Sequence, residues 1–293
     1  MAIAMETLLG ELASELGELI PGVRINDNSL SGQATNAVAS SSTVLLDVNN
    51  RFEYDENIVA DSYLRVKSDS SITTNINTVV KIATYNAGTL TLTPGLNSIN
   101  TNTQYQIFRR IHPSAYLQAI TESLRLAYPS IYTPKADTTV TTAANTYVYT
   151  VPGDIEDVSR VELQIQTSPT SYPYAEINFE ANRTGNDLQH IQLFGQYTPS
   201  LKLRISGAGY VTAPTSLLGT INVSGDEIEI VKMGAKAALY RKLASSSSDG
   251  SDDQNNFFAM SKNYYDLFLE AKAKHHKTLP RMTVIRDPRY NWL

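Results

Sequence analysis

DEIEIVKMGAKAALYRKLA, residues 226–244, is the stretch that decides the predicted fold. Asp226 can cap a helix at the start of this stretch, while Lys236, Arg241 and Lys242 lie nearer its end, where the helix dipole favours positive charge. The apolar residues recur at helical spacing and share one stripe: Ile228, Val231, Ala235, Ala238 and Leu239. The stretch therefore predicts an amphipathic helix that buries one face against other elements.

Three further segments, residues 5–20, 113–128 and 255–275, have the same helical periodicity. The last of them carries a predicted apolar stripe of Phe257, Met260, Tyr264, Leu267, Phe268 and Ala271. None of the four helices would be stable alone at this length, so we expect them to pack as one antiparallel bundle. Its predicted core consists of Leu12, Leu16, Leu117, Ile120, Leu124, Val231, Leu239, Tyr264 and Phe268.

Two regions between the helices change to the two-residue period of strands. Residues 30–110 hold five short strand-like runs separated by turn residues, which predicts a small β-barrel. Residues 138–224 hold a second set, with breaks at Pro152-Gly153-Asp154 and Gly207-Ala208-Gly209, and this predicts a sandwich. The predicted fold class is α+β, an antiparallel helical bundle with two inserted β units and an extended tail. The bundle is assigned to residues 1–29, 111–137 and 225–277, and the tail to residues 278–293.

The tail, TLPRMTVIRDPRYNWL, ends the chain on large apolar and aromatic side chains. Such residues stay exposed to water only at a cost, and free termini usually lack them. We expect the tail to lie extended in a groove or along a sheet edge of another protein. A solvated basic end and a contact with DNA are the alternatives. The predicted docking residues are Leu279, Arg281, Val284, Ile285, Arg286, Arg289, Tyr290 and Trp292.

The composition excludes several classes of protein. A net charge of -5 argues against a general nucleic-acid coat, whose phosphate contacts need an excess of Lys and Arg. The absence of cysteine excludes disulfides, thiolate metal sites and cysteine nucleophiles. No apolar run is long enough to span a bilayer and the N-terminus is unlike a signal peptide, so we expect a protein made in a cytoplasm, with no membrane partner.

The candidate chemical groups favour a structural protein over an enzyme. His275 and His276 are adjacent and so do not share a helix face, which argues against a paired metal site. Residues 249–253 resemble a calcium loop but place glycine second, and Met260 stands where an EF-hand needs a glutamate. No nucleophile elbow, phosphate loop or dinucleotide motif occurs. We expect no catalysis, no metal and no cofactor.

Three local patterns carry a resemblance to a known family. One is the helix HPSAYLQAI (112–120) leading to LAYPSIY (126–132). Another is the strand entry YVYTVPGDIEDV (147–158), and the third pairs DSYLRV (61–66) with YQIF (105–108). In these features and in its layout the chain resembles the head-to-tail connector (adaptor, or neck) proteins of tailed bacteriophages. Compact members of that family lack two β insertions as large as these.

The resemblance implies a structural virion protein of the neck region. It implies a dodecameric ring that connects the portal protein to an adjoining neck or tail protein, with DNA crossing the channel without specific binding. Two alternatives stay open. A carbohydrate-binding adhesin or decoration protein would bind sugar through the β units. The seventeen tyrosines are consistent with a sugar groove, although packing on sheet surfaces and subunit contacts is the favoured interpretation of them. A tail-associated wall hydrolase would need a cleft with two converging carboxylates.

Overall fold

The computed structural model describes residues 2–20, 22–24, 32–37, 42–47, 50–52, 59–68, 73–86, 88–101, 103–165, 173–184, 188–248 and 250–275. The predicted docking tail lies outside these residues. Contacts divide the chain into two compact units. The first comprises Met1–Leu126 and Ala213–Ala271, and the second comprises Ala127–Thr212 and Lys272–Leu293. All strand pairs among the described residues are antiparallel.

Four α-helices of eleven or more residues occur in the described part of the chain: α1 Met5–Glu15, α2 Pro113–Ala127, α3 Gly225–Ser246 and α4 Asp252–Lys274. The start of α3 shows why the chain turns into a helix there. The Ser224 side chain accepts a hydrogen bond from the Glu227 N–H, and the Glu227 carboxylate accepts one from the Ser224 N–H at 2.6 Å. This capping box satisfies two backbone donors at once. The predicted cap, Asp226, instead lies in the first turn, where its charge suits the helix dipole.

Among its described residues, the first unit contains ten strands before α2 and one before α3. Their bounds are β1 Ala2–Ala4, β2 Leu19–Ile20, β3 Gly22–Arg24, β4 Gly32–Gln33, β5 Ser42–Leu46, β6 Asn50–Phe52, β7 Tyr63–Ser68, β8 Val79–Asn86, β9 Thr89–Leu96, β10 Gln104–Phe108 and β18 Thr220–Asn222. Seven of these strands form one sheet in the order β2-β10-β7-β8-β9-β5, with β4 also paired to β10. The other pairs are β1 with β18 and β3 with β6.

The prediction of a closed barrel in this region was wrong. The ladder of the seven-stranded sheet runs from β2 to β5 and does not return to its start in the described residues. Thr35, just after β4, donates its N–H to the carbonyl oxygen of Leu46 at 2.6 Å, but this contact is not a strand pair. The strand-like runs predicted strands here, but closure depends on which sheet edges meet, and no local pattern encodes that.

The prediction of an antiparallel four-helix bundle carrying β insertions was also wrong. The chain is a mixed α/β protein dominated by antiparallel sheets. The helix α1 packs against β1 and β2, and Met5 at its start donates its N–H to the Gly219 carbonyl, next to β18. Helical periodicity shows that a face is buried but not what covers it, and strands cover part of that face here.

The second unit holds two sheets in the residues that the structure describes, and their ladders do not close. The remaining strands are β11 Thr133–Asp137, β12 Val148–Thr150, β13 Asp157–Gln164, β14 Tyr174–Glu176, β15 Phe179–Thr184, β16 Leu188–Leu193 and β17 Leu203–Gly209. One sheet has the order β11-β17-β13-β14 and the other the order β12-β16-β15. Side chains from both sheets form one core, which includes Tyr149, Val161, Ile191, Leu203 and Ile205.

The break expected at Gly207-Ala208-Gly209 does not occur, because these residues form the end of β17. A Cβ on Gly207 would overlap the carbonyl oxygen of Asp157, and one on Gly209 would overlap that of Asp154. The glycines therefore allow close approach of neighbouring backbone within the sheet, which is the other common role of glycine in a strand.

Candidate interaction surface

The helix α4 exposes more large apolar side chains than a helix with one buried face requires. Five of them are between 37% and 48% exposed: Phe258, Met260, Tyr265, Leu267 and Leu269. Scattered apolar residues on a surface need no explanation, but a concentration of them on one element marks an interaction site. The helix α4 is therefore the strongest candidate for a functional surface in the described part of the chain.

The buried face of α4 is narrow and is defined by contacts with α3. Ser261 donates its hydroxyl to the carbonyl oxygen of Ala237 at 2.8 Å, and both Ser261 and Phe268 are buried. The two helices approach closely at Gly234, where an added Cβ would overlap Ser123 Oγ and lie 3.1 Å from Phe268 Cδ2. Ser123, from α2, donates its hydroxyl to the Val231 carbonyl at 2.8 Å. The first unit thus holds α2 and α4 against one face of α3.

The exposed apolar residues of α4 form two separate stripes. Phe258, Tyr265 and Leu269 have the spacing i, i+7, i+11, with Lys262 between them, and we call these four the groove stripe. Met260 and Leu267, seven residues apart, form the far stripe. At about 100° per residue the two stripes lie roughly 180° apart around the helix axis, one on each side of the buried face.

A groove adjoins the groove stripe. It encloses about 250 Å³, and its lining combines small side chains, two apolar walls and one charge of each sign. The lining residues are Glu122, Ser123, Leu126, Gly234, Ala237, Ala238, Arg241 and Tyr265. Leu126 is 45% exposed and Tyr265 belongs to the groove stripe, so groove and stripe form one continuous surface.

A stack of aromatic rings fixes the first half of α4. The Tyr240 ring of α3 lies between Phe257 and Tyr264, with ring centroids 6.2 and 5.6 Å away. The Arg110 guanidinium lies 5.1 Å from the centroid of Phe257, and Lys236 Nζ lies 5.0 Å from that of Tyr264. Cations over ring faces add to the attraction between stacked rings. The exposed stripes are therefore held on a well-anchored helix.

The cation at one end of the stack is itself held by a buried acid. Arg110 donates from its backbone N–H, Nε and Nη2 to the Glu18 carboxylate at 2.8, 2.9 and 2.6 Å. The Glu18 side chain is fully buried, so these charge-assisted bonds compensate its desolvation. Burial raises the pKa of Tyr240 beside this pair and raises that of Tyr116 well above its ordinary value.

Most of the residues predicted as an apolar core are buried in the structure. Leu12, Leu16, Ile120, Leu124, Val231, Leu239 and Phe268 are buried. Leu117 and Tyr264 are half-buried. Met260 and Leu267, which were expected on the buried stripe of the last helix, are exposed instead. The predicted docking residues Leu279, Arg281, Val284, Ile285, Arg286, Arg289, Tyr290 and Trp292 lie outside the described residues, as do His276 and Asp249.

The groups considered for metal binding lie at the ends of α4. Asp252 and Asp253 are exposed in its first turn, where they favour the helix dipole. His275 follows its last residue. Among the described residues, no three His, Asp or Glu side chains come close enough together to hold a metal ion.

Sequence reasoning missed the groove and the second stripe of α4. A signal was present, because Phe258, Tyr265 and Leu269 repeat at helical spacing beside the stripe that was assigned to the core. Two apolar bands make the helix apolar over more of its circumference than one buried face needs. That excess could have indicated a helix that also meets a partner.

No known protein family matches the chain, and no curated protein matches it. Within the part of the chain that the structure describes, no helix is both long and apolar enough to cross a bilayer.

Proposed function

We propose that this chain is a structural protein of a tailed-bacteriophage particle, a subunit of a ring that connects the portal to the tail and lines the DNA channel. The observation that carries the proposal is the pair of exposed apolar stripes on α4. Apolar surface of this extent favours burial against another chain. A ring of identical subunits needs two different contact surfaces on each copy, and two stripes on opposite sides of one helix meet that need.

The charge of the chain is consistent with a channel that DNA crosses. A strongly basic lining would retain DNA through its phosphates, whereas a net charge of -5 disfavours such retention. In this proposal the tail, residues 278–293, docks on the portal protein, and the opposite side of the ring meets the adjoining neck or tail protein. The resemblance of residues 112–132 and 147–158 to connector proteins supports this assignment of partners.

The test is an electron-microscopy map of particles of the phage that encodes the chain. The proposal predicts that the chain fits a ring of density between the portal and the tail, with its C-terminal residues against the portal. Density for the chain on the capsid surface or at the tail tip, with none in the neck, would contradict it.

A second function, carbohydrate binding, is favoured by one observation in the second unit. Val148 of β12 is 51% exposed, and Phe194, which follows β16, is 56% exposed. Nearby, Gln196 donates from Nε2 to the Tyr147 hydroxyl at 2.6 Å, next to the backbone bond from Leu193 to Tyr147. Exposed rings beside amide groups suit the apolar face and the hydroxyls of a sugar.

A glycan array separates this second function from the first. An adhesin predicts selective binding that is lost in Phe194→Ala and in Tyr147→Ala, with the fold retained. The absence of binding to any glycan of the host surface would leave the exposed residues of β12 and β16 as packing for a neighbouring protein.

A further inference from the structure

We propose that α4 is a self-complementary element: the groove stripe of one copy, together with the groove beside it, binds the far stripe of a second copy. This inference rests on the proposed assembly of the chain into a ring and names the surface and the partner that build it. The partner is another copy of this chain, and the two contacting surfaces are different from each other.

The position of the stripes favours a contact between unlike surfaces. Because the stripes lie roughly 180° apart on the helix, a single partner cannot cover both. A symmetric contact of the groove stripe with itself would leave Met260 and Leu267 exposed in every copy. A head-to-tail contact covers both stripes in every copy and repeats around a closed ring.

The size of the groove favours side chains as its occupants. Its volume of about 250 Å³ is below the roughly 300–1,000 Å³ that is usual for small-molecule sites. Large flexible side chains such as Met260 or Leu267 suit a space of this size, and small residues on its lining let a helix approach closely. A helix that lays apolar anchors into such a groove is a common mode of protein recognition.

The groove stripe carries a lysine, and the first half of the far stripe carries an acid. Lys262 lies in the middle of the groove stripe, and Asp253 lies seven residues before Met260 on the line of the far stripe. Towards the end of the helix the charges are mixed, with Glu270 one turn beyond Leu267 and Lys274 seven residues after it. Within the groove itself, Glu122 and Arg241 offset each other. A contact of Lys262 with the first half of the far stripe therefore brings it towards Asp253, whereas a contact of the groove stripe with itself brings Lys262 towards its own copy.

Disulfide cross-linking tests the pairing directly, because the chain has no cysteine of its own. Phe258→Cys and Leu269→Cys place a thiol on the groove stripe, and Met260→Cys and Leu267→Cys place one on the far stripe. Each full-length variant is oxidised alone and in mixtures with each of the others. A disulfide requires Cα atoms within about 7 Å, so several positions are needed to cover the possible helix registers.

The proposal predicts a cross-linked dimer in at least one mixture of a groove-stripe and a far-stripe variant, and no dimer from any variant alone. Dimers from a single variant would show a symmetric contact and overturn it. A purified chain that is oligomeric by native mass but shows no cross-link in any mixture would also overturn it, while leaving the proposed ring intact. A monomer without cross-links means that a different protein covers α4 and likewise overturns it, and the particle map then decides separately whether the chain forms a neck ring.

Discussion

Single residues decide how closely the helices of the first unit approach. Gly234 lies in the middle of α3, where glycine usually weakens a helix relative to alanine. Glycine is needed here for the space that it leaves, since a Cβ would overlap Ser123 Oγ of α2 and lie only 3.1 Å from Phe268 Cδ2 of α4. Gly10, in the middle of α1, has no neighbouring atom within 4 Å of its missing Cβ. Both glycines lie inside a helix, but atoms of neighbouring helices crowd Gly234 and no atom crowds Gly10.

We therefore expect opposite effects of alanine at these two positions. Gly234→Ala should lower the free energy of unfolding by about 1–3 kcal/mol, because overpacking outweighs the gain in helix propensity. The matched control, Gly10→Ala, should raise it by about 0.5–1 kcal/mol. Urea denaturation of both variants measures the difference. Stabilisation by both substitutions would mean that α2 and α4 do not crowd α3.

A second prediction for a single residue concerns how the stability of the protein depends on pH. The carboxylate of Glu162, on β13, is almost completely buried and accepts a bond from Arg204 Nε at 2.5 Å, with Arg160 Nη2 at 3.1 Å. The hydrogen bond from Arg204 holds the pKa of Glu162 below its ordinary value despite burial. A pKa lowered by folding stabilises the protein above the unfolded pKa of about 4.3, and this stabilisation is lost as the pH falls through the folded pKa.

The stability of the native protein should thus fall as the pH drops below about 4.3, and part of this fall should be absent in Glu162→Gln. Melting temperatures of the native protein and of Glu162→Gln between about pH 6 and pH 2 measure this difference in pH dependence. The variant should be less stable at neutral pH, where Arg204 loses its charged partner, and the two curves should converge in acid. Parallel curves over the whole range would show that Glu162 does not contribute.

At the scale of elements, the sequence predicted where helices occur better than which side of each is buried. The predicted helices 226–244 and 255–275 correspond to Gly225–Ser246 and Asp252–Lys274, because caps and periodicity are local signals. The cap itself was Ser224 rather than Asp226, since the capping box needs the serine hydroxyl three residues before Glu227.

The candidate surface was harder to predict for a related reason. Met260 and Leu267 were assigned to the buried stripe of α4, and they are exposed. A helix with apolar residues on three sides has one side against its own chain, and periodicity alone does not say which one. The contact of Ser261 with Ala237 decides it, and that contact joins residues from different helices.

A charge on the far stripe tests the role of α4 as an element. Leu267→Lys changes a side chain that is 38% exposed, so the free energy of unfolding should change by no more than about 0.5 kcal/mol. Self-association should be lost, because the charge would be desolvated in the contact. The control is Asp266→Ala, the neighbouring exposed position between the two stripes, which should leave association unchanged. Sedimentation velocity on both variants, with thermal melts, checks the prediction. Unchanged association in Leu267→Lys would place the contact elsewhere.

At the scale of the molecule, long-range pairing separates the predicted fold from the observed one. The five strand-like runs predicted within residues 30–110 coincide with β5, β7, β8, β9 and β10, whereas β4 and β6 of the same region were not recognised. The sequence did not predict the order of the strands in the sheets or the open ends of those sheets. It also did not predict that strands pack against α1. These features depend on which apolar faces find each other across the chain, and many pairings satisfy the same local pattern.

The shared core of the first unit gives a prediction at this scale. Leu12 in α1 is completely buried, so Leu12→Asp should unfold this unit, because an unpaired buried carboxylate costs several kcal/mol of a margin of about 5–15 kcal/mol. Leu218 is 62% exposed in the same unit and provides the control, since Leu218→Asp should melt like the native protein. Circular dichroism melts compare the two. A normal melt for Leu12→Asp would mean that α1 is not part of the core.

The central claim is that copies of this chain bind one another through α4 and close into a ring. Native mass spectrometry of the purified full-length chain over a range of concentrations tests it most directly. The account predicts one closed oligomer of defined size at the higher concentrations, in equilibrium with monomer, and its loss in Leu267→Lys. A monomer at every concentration, or an open series of masses that grows with concentration and is indifferent to Leu267→Lys, would contradict it.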